Sequence, residues 1–231
     1  KPPRKVPEPT SFTATGPNQV WTWDISYCPS AVRGQHWYLY LIMDIYSRKI
    51  VAWEIHESES GELAKKLVER ALLREGCWHN PPVLHSDNGA PMTSYTLKAR
   101  LADLGMLMSH SRPRVSNDNP YSESLFRTVK YCPEWPSKGF ESLTAVRDWM
   151  LAFEYAYNEK HLHSGINFVT PADRHRGLDL QRLAHRKRVY ESAKRRNPQR
   201  WSGNTRNWEV TGPVSLNPGK LQEVELNKLA A

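Results

Sequence analysis

Between residues 19 and 56, three strand-like runs follow one another so closely that the chain has room only to fold back on itself. Residues 19–28 alternate bulky and polar side chains and are rich in Trp, Ile and Tyr, the period and composition of a half-buried strand. A turn region with Pro29 and Gly34 follows, and residues 36–46 form a long aromatic and aliphatic run that reads as a second strand. Ser47, Arg48 and Lys49 make a short polar link, so residues 50–56 are expected to pair back as a hairpin. Tight links between three successive strands predict an antiparallel meander.

The period then changes. Leu63, Leu67, Val68, Ala71 and Leu72 recur at helical spacing over residues 60–74, with Ser60 as a start signal and Gly76 as a stop. Residues 83–86 read as a short strand ending at Asp87, residues 93–104 as a helix closed by Gly105, and residues 106–109 as another short strand. Residues 110–118 are polar, carry Pro113, Arg112 and Arg114, and read as a mobile loop. Asn119 is a good N-cap and Pro120 suits the first helical position, so a helix is expected from Pro120 to about Tyr131, stopped by Pro133 and Pro136. Its Leu125, Val129 and Phe126 face the sheet. A further helix spans residues 142–159. The order β-β-β-α-β-α-β-α-α predicts an α/β fold, a mixed five-stranded sheet with helices on both faces. Residues 1–18 read as a linker and 19–176 as one catalytic core domain. Residues 177–231 read as a basic extension, with a helix near 178–194 and then a stretch, 201–218, compatible with a small β hairpin.

Three acids stand where these elements begin or end. Asp24 lies inside the first strand, Asp87 at the end of the fourth, and Glu123 in the first turn of the helix that opens at Pro120. Thirty-five residues separate Asp87 from Glu123, and Lys130 follows Glu123 by seven. Glu123, Arg127 and Lys130 share one helix face. Converging carboxylates would form an all-oxygen cage for hard divalent cations such as Mg²⁺, and two such ions can assist both the attacking and leaving oxygens of a phosphodiester. Each acid also has a plainer explanation. Asp87 precedes the turn dipeptide Asn88-Gly89, and Glu123 alone is an ordinary surface Glu; only Asp24 is unusual for its setting, because Asp is disfavoured in strands. Asp44, in the second strand, is read as structural or supporting.

The hydrophobic content of 39% argues against wholesale disorder, and no apolar run approaches the roughly 18 residues of a membrane span. Cys28, Cys77 and Cys132 show no paired spacing and fit a reducing compartment. His161 and His163 form an HxH pair read as structural or solvated. The net charge of +8 is uneven: residues 1–158 hold 18 Lys+Arg against 17 Asp+Glu, whereas residues 159–231 hold 14 against 7. The basic stretch that includes Arg186, Lys187 and Arg188 is therefore a candidate phosphate-binding arm, with a solvated helix face as the alternative. The chain opens on Lys1 without an initiator Met, as expected of a piece of a longer protein, and residues 227–231 resemble a vector-derived tail.

Trp23-Asp24-Ile25, His85-Ser86-Asp87-Asn88-Gly89, Ser116-Asn117-Asp118-Asn119-Pro120-Tyr121-Ser122-Glu123 and Lys130 resemble a DDE transposase of the IS3 insertion-sequence family, with a retroviral-integrase-type core. Tyr157-Asn158, His163-Ser164 and Thr170-Pro171 are similar to that family's terminal signature. The resemblance implies an RNase H-like fold. It implies Asp24, Asp87 and Glu123 as catalytic ligands of two Mg²⁺ or Mn²⁺ ions, Asp24 bridging both, and Lys130 on the DNA of the element's end. Arg127, Arg112, Arg114 and Asn119 join Lys130 as DNA-contact candidates. It further implies cleavage and joining of DNA at mobile-element ends and in target DNA, action as a homo-oligomer, and a cytoplasmic, nucleoid-associated setting away from membranes. A retroelement integrase, an RNase H-type nuclease and a domesticated, inactive DNA-binding protein remain as alternatives.

Overall fold

The computed structural model describes residues 11–112 and 118–217. The expected meander is present: β2 (Val20–Pro29) pairs antiparallel with β3 (His36–Asp44), which pairs antiparallel with β4 (Ile50–His56). After α1 (Gly61–Arg74), β5 (Val83–Ser86) returns parallel to β2. Two short helices follow, α2 (Ala90–Thr93) and α3 (Tyr95–Asp103), and β6 (Met108–His110) adds parallel to β5. The five-stranded order is β4-β3-β2-β5-β6, with β2 at its centre. The remaining α-helices of the described residues are α4 (Pro120–Lys130), α5 (Leu143–Tyr155), α6 (Pro171–His175) and α7 (Asp179–Arg196).

Strand alternation divides the sheet into two apolar faces. Trp21, Trp23, Tyr40 and Ile42 pack with Ala64, Leu67, Val68 and Ala71 of α1 and Leu97 and Leu101 of α3. Leu39, Leu41, Met43, Ile50 and Ile55 pack on the opposite side, with Leu125, Phe126 and Val129 of α4 and Val146, Met150 and Phe153 of α5. Thr22 and Asp24, which alternate with Trp21 and Trp23, therefore face α4. Ser60 caps α1 by accepting from the Leu63 amide, and Gly76 leaves the helix at φ +66°.

Several expectations change. Residues 93–104 are not one helix: Ser94 is extended and caps α3 by accepting from the Leu97 amide. The helix expected over 142–159 ends at Tyr155 and continues as one π-helical turn, Ala156–Lys160. There the Asn158 amide accepts from the Ile50 N–H and donates to the Ile50 C=O, tying that turn to the start of β4. The linker reading reached too far, because Phe12–Ala14 forms β1. The hairpin expected in the tail does not form among the described residues. Instead β7 (Val214–Leu216) pairs antiparallel with β1, and Ala14, Val214 and Leu216 bury against Val20 and Ile45. Leu183 of α7 and Trp208 likewise bury with Ile166 and Val169. No described helix is long and apolar enough to cross a membrane.

Candidate active site

Parallel pairing brings the first two acids to the same level. Val20, Trp21 and Thr22 pair with Val83, Leu84 and His85, and carrying that register on by two residues sets Asp87 beside Asp24. The third acid is brought in by polar contacts at the start of α4. Thr22 Oγ1 donates to Asn119 Oδ1 and shares a 2.8 Å bond with the Ser122 hydroxyl, while Asn119 Nδ2 donates to the Trp23 carbonyl at 3.3 Å. All three side chains are buried, so the residue after Ser122, Glu123, is carried on a helix end fixed directly to the strand that holds Asp24.

His85 completes this frame. Its Nε2 lies 2.9 Å from the Asp118 carbonyl and its Nδ1 3.0 Å from the Ser109 hydroxyl. A carbonyl only accepts, so the network assigns the proton to Nε2 and leaves Nδ1 to accept from Ser109. Burial lowers the His85 pKa, in keeping with a neutral ring. One side chain thus links β5, β6 and the entry to α4. Arg112 grips the Asp118 carboxylate through Nε and Nη2, both at 2.9 Å.

Electrostatics register the convergence. Burial, then Asp87, then Glu123 push the Asp24 carboxyl up, against the Ile25 N–H and Lys130, to a pKa of about 7. The Ile25 amide donates to Asp24 Oδ1 at 2.7 Å. Asp87 Oδ1 accepts from the Gly89 N–H at 2.8 Å, so the turn role expected of Asp87 is real and coexists with its place beside Asp24. Glu123 is exposed. Among the described residues no group of three or more His, Cys, Asp or Glu side chains is drawn together tightly enough to hold a metal as it stands. The donor chemistry nonetheless suits a hard divalent cation: the set is all oxygen, and the half-buried Asp24 carboxyl is held high by desolvation and by two other acids whose charge a cation would offset. His161 and His163 meet edge-on at 5.9 Å, and the His163 Nδ1 accepts from the Gly165 amide.

Asp44 is fully buried and structural. Its Oδ1 accepts from the Ser47 amide and hydroxyl, both at 2.7 Å, and its Oδ2 from the Asn18 amide at 2.8 Å. Lys130 and Arg127 are exposed on the Glu123 face of α4. Asn119 stands at the N-cap position but makes no side-chain cap bond; at 3% exposure its amide is committed to β2 and is not offered to solvent. In α7, Arg186 donates to the carbonyls of Asn167 and Phe168 and lies 5.6 Å over the Trp208 ring, and Lys187 pairs with Glu209 at 2.7 Å. Arg186 thus ties α7 to the body, Lys187 joins two parts of the extension itself, and Arg188 is exposed. Arg114 lies outside the described residues.

Solved structures share this architecture. A simian T-cell lymphotropic virus intasome, in complex with PP2A regulatory subunit B56 gamma, aligns with TM-score 0.56 at 15% identity over 76% of this chain and 60% of that one. The catalytic domain of Mos1 mariner transposase aligns with TM-score 0.51 at 16% identity, over 60% and 71%. The fold is thus the RNase H-like catalytic fold of integrases and transposases. In sequence, the integrase core domain family matches residues 14–116, and a second integrase core domain family matches residues 104–171. The transposase for insertion sequence element IS904 of Lactococcus lactis subsp. lactis (strain IL1403) is 33% identical over 165 residues, 70% of this chain and 63% of that protein. Transposase InsF for insertion sequence IS3A of Escherichia coli (strain K12) is 31% identical over 120 residues, 52% and 40%. The chain belongs to the integrase core domain family, matched between residues 14 and 171, and is similar to transposases of IS3-type insertion sequences. It aligns with less than two thirds of the length of either relative.

Proposed function

We propose that this chain carries the catalytic core of a transposase that cuts and joins DNA at the ends of a mobile element, with Asp24, Asp87 and Glu123 as its catalytic carboxylates. The observation that carries the proposal is geometric: the β2–β5 register brings Asp87 beside Asp24 at the centre of the sheet, and the Thr22, Asn119 and Ser122 bonds hold the helix end that carries Glu123 against the same strand. Carboxylates that converge in this way repel one another, and a divalent cation is the natural offset for their charge.

Asp24, Asp87 and Glu123 would hold two divalent ions, Mg²⁺ or Mn²⁺; the Mos1 catalytic domain, alike in fold, is described with each. Bound there, such ions supply Lewis-acid stabilisation of charge on the attacking and leaving oxygens. The protein's own part is positioning. Thr22, Asn119 and Ser122 fix α4 against β2, and Lys130 and Arg127 take the phosphates beside Glu123. Hydrolysis of a phosphodiester at the element's end frees a 3′-hydroxyl. That hydroxyl attacks a second phosphodiester in line, forms the new P–O bond and expels the old 3′-oxygen, with no covalent protein intermediate. Assembly of several copies around DNA is part of the proposal.

Labelled element-end DNA incubated with the protein and Mg²⁺ should yield joined products, which EDTA abolishes. Cut strands without joined ones would instead indicate a nuclease, and no products under any divalent condition would overturn the assignment.

A further inference from the structure

A groove beside α4 has no part in the chemistry above. Going around α4 from the Glu123–Arg127–Lys130 face, the next side chains are Ser124, Tyr131 and Thr128, which look toward the end of α5 and the π turn. Between them lies a groove of about 510 Å³, within the roughly 300–1,000 Å³ of pockets that hold small ligands. Arg127, Tyr131, Phe153, Tyr157 and His161 line it, and no carboxylate does.

One wall is the Phe153–Tyr157–His161 end of a ladder of stacked rings. Trp149, Phe153, Tyr157 and His161 follow at centroid spacings of 5.2, 5.8 and 5.6 Å, with tilts of 14°, 20° and 14°. His161, the last rung, is exposed. Across the groove Tyr131 is 79% exposed, with the Arg127 guanidinium 5.7 Å from its ring centroid. Solvent-facing rings beside a cation are the surface on which proteins stack unpaired bases. Charge selects the same occupant: a cationic rim with no acid suits a phosphodiester strand. Arg127 also belongs to the Glu123 face, one helical turn or about 6 Å along the axis from Glu123, so groove and candidate active site are continuous.

We propose that this groove receives an unpaired base of the DNA strand lying on the Glu123 face of α4, with the base against Tyr131 and His161 and its phosphate on Arg127. The inference rests on the reading that DNA occupies that face. It is tested with the full chain in EDTA, so that binding is read without chemistry. Fluorescence anisotropy compares a blunt duplex with the same duplex carrying a few unpaired terminal nucleotides. The wild type should favour the unpaired form about tenfold or more. Tyr131→Ala and His161→Ala should each reduce that preference and leave blunt-duplex affinity unchanged, while Tyr131→Phe retains it. Equal affinity of the wild type for both DNAs would overturn the proposal, as would a preference unaffected by either alanine, or equal losses on both DNAs. Cleavage with no preference for unpaired ends removes only this inference; a preference without any cleavage removes only the proposed function.

Discussion

Asn119→Asp separates two accounts of how α4 is held. If Asn119 were simply an N-cap, Asp would serve equally well, since both are preferred there. In the structure the side chain makes no cap bond. Its Nδ2 donates to the buried Trp23 carbonyl and its Oδ1 accepts from the fully buried Thr22 hydroxyl. A carboxylate cannot donate, so Asn119→Asp sets an oxygen against the Trp23 carbonyl and adds a buried negative charge close to Asp24. Asn119→Ala removes both bonds; the Thr22 hydroxyl can still turn to Ser122, whereas the Trp23 carbonyl loses this donor, a cost of about 1–3 kcal/mol. At about 2–4 °C per kcal/mol for a chain of this size, the melting temperature should fall by roughly 2–12 °C. Asn119→Asp should cost at least as much. Urea unfolding and thermal melts of the three proteins give both numbers. Wild-type stability in Asn119→Asp would refute the reasoning, because it would show that capping alone matters there.

Other outcomes follow from the same contacts. Burial pushes the Glu75 carboxyl up, but the hydrogen bonds and charges of His175 and Lys49 outweigh it and hold the pKa at about 2, against an ordinary 4.5. A depressed folded pKa contributes stability above the unfolded value and loses it as pH falls, so about 3 kcal/mol should vanish between pH 4.5 and 2; Glu75→Gln should flatten that part of the stability–pH curve, and an unchanged curve would count against the cluster. Lys130→Ala should weaken DNA binding across sequences and lower the slope of log affinity against log salt by about one contact. An unchanged slope would remove Lys130 from the DNA. Removing the half-buried, repelled charge with Asp24→Asn should raise the metal-free melting temperature and abolish any rise produced by Mg²⁺ or Mn²⁺; a variant that still gains stability from the ions would place them elsewhere.

Much of this was legible where the signal is local. The period-2 runs gave the meander, Ser60 and Gly76 bounded α1, and Asn119-Pro120 marked the start of α4. Contacts between distant segments left no such trace. β1 and β7 are three residues each and lie at opposite ends of the described chain, so neither carries enough pattern to predict its partner. The π turn depends on Asn158 finding the Ile50 backbone, and the bond from Asn119 to Trp23 competes with the capping role that local chemistry favours. In sequence His85 is only a member of the 83–86 strand and of the motif that leads to Asp87; only the fold reveals it as the tie between β5, β6 and α4. The basic tail was legible as charge but not as use, since Arg186 is spent on tying α7 to the body and Lys187 on a pair with Glu209 inside the tail.

The central claim is that Asp24, Asp87 and Glu123 act as one site. Strand transfer of labelled element ends in Mg²⁺, with Asp24→Asn, Asp87→Asn and Glu123→Gln measured separately after each is shown to be folded, tests it most directly. The account predicts joined product from the wild type and none from any of the three. Full activity in even one of them would contradict it.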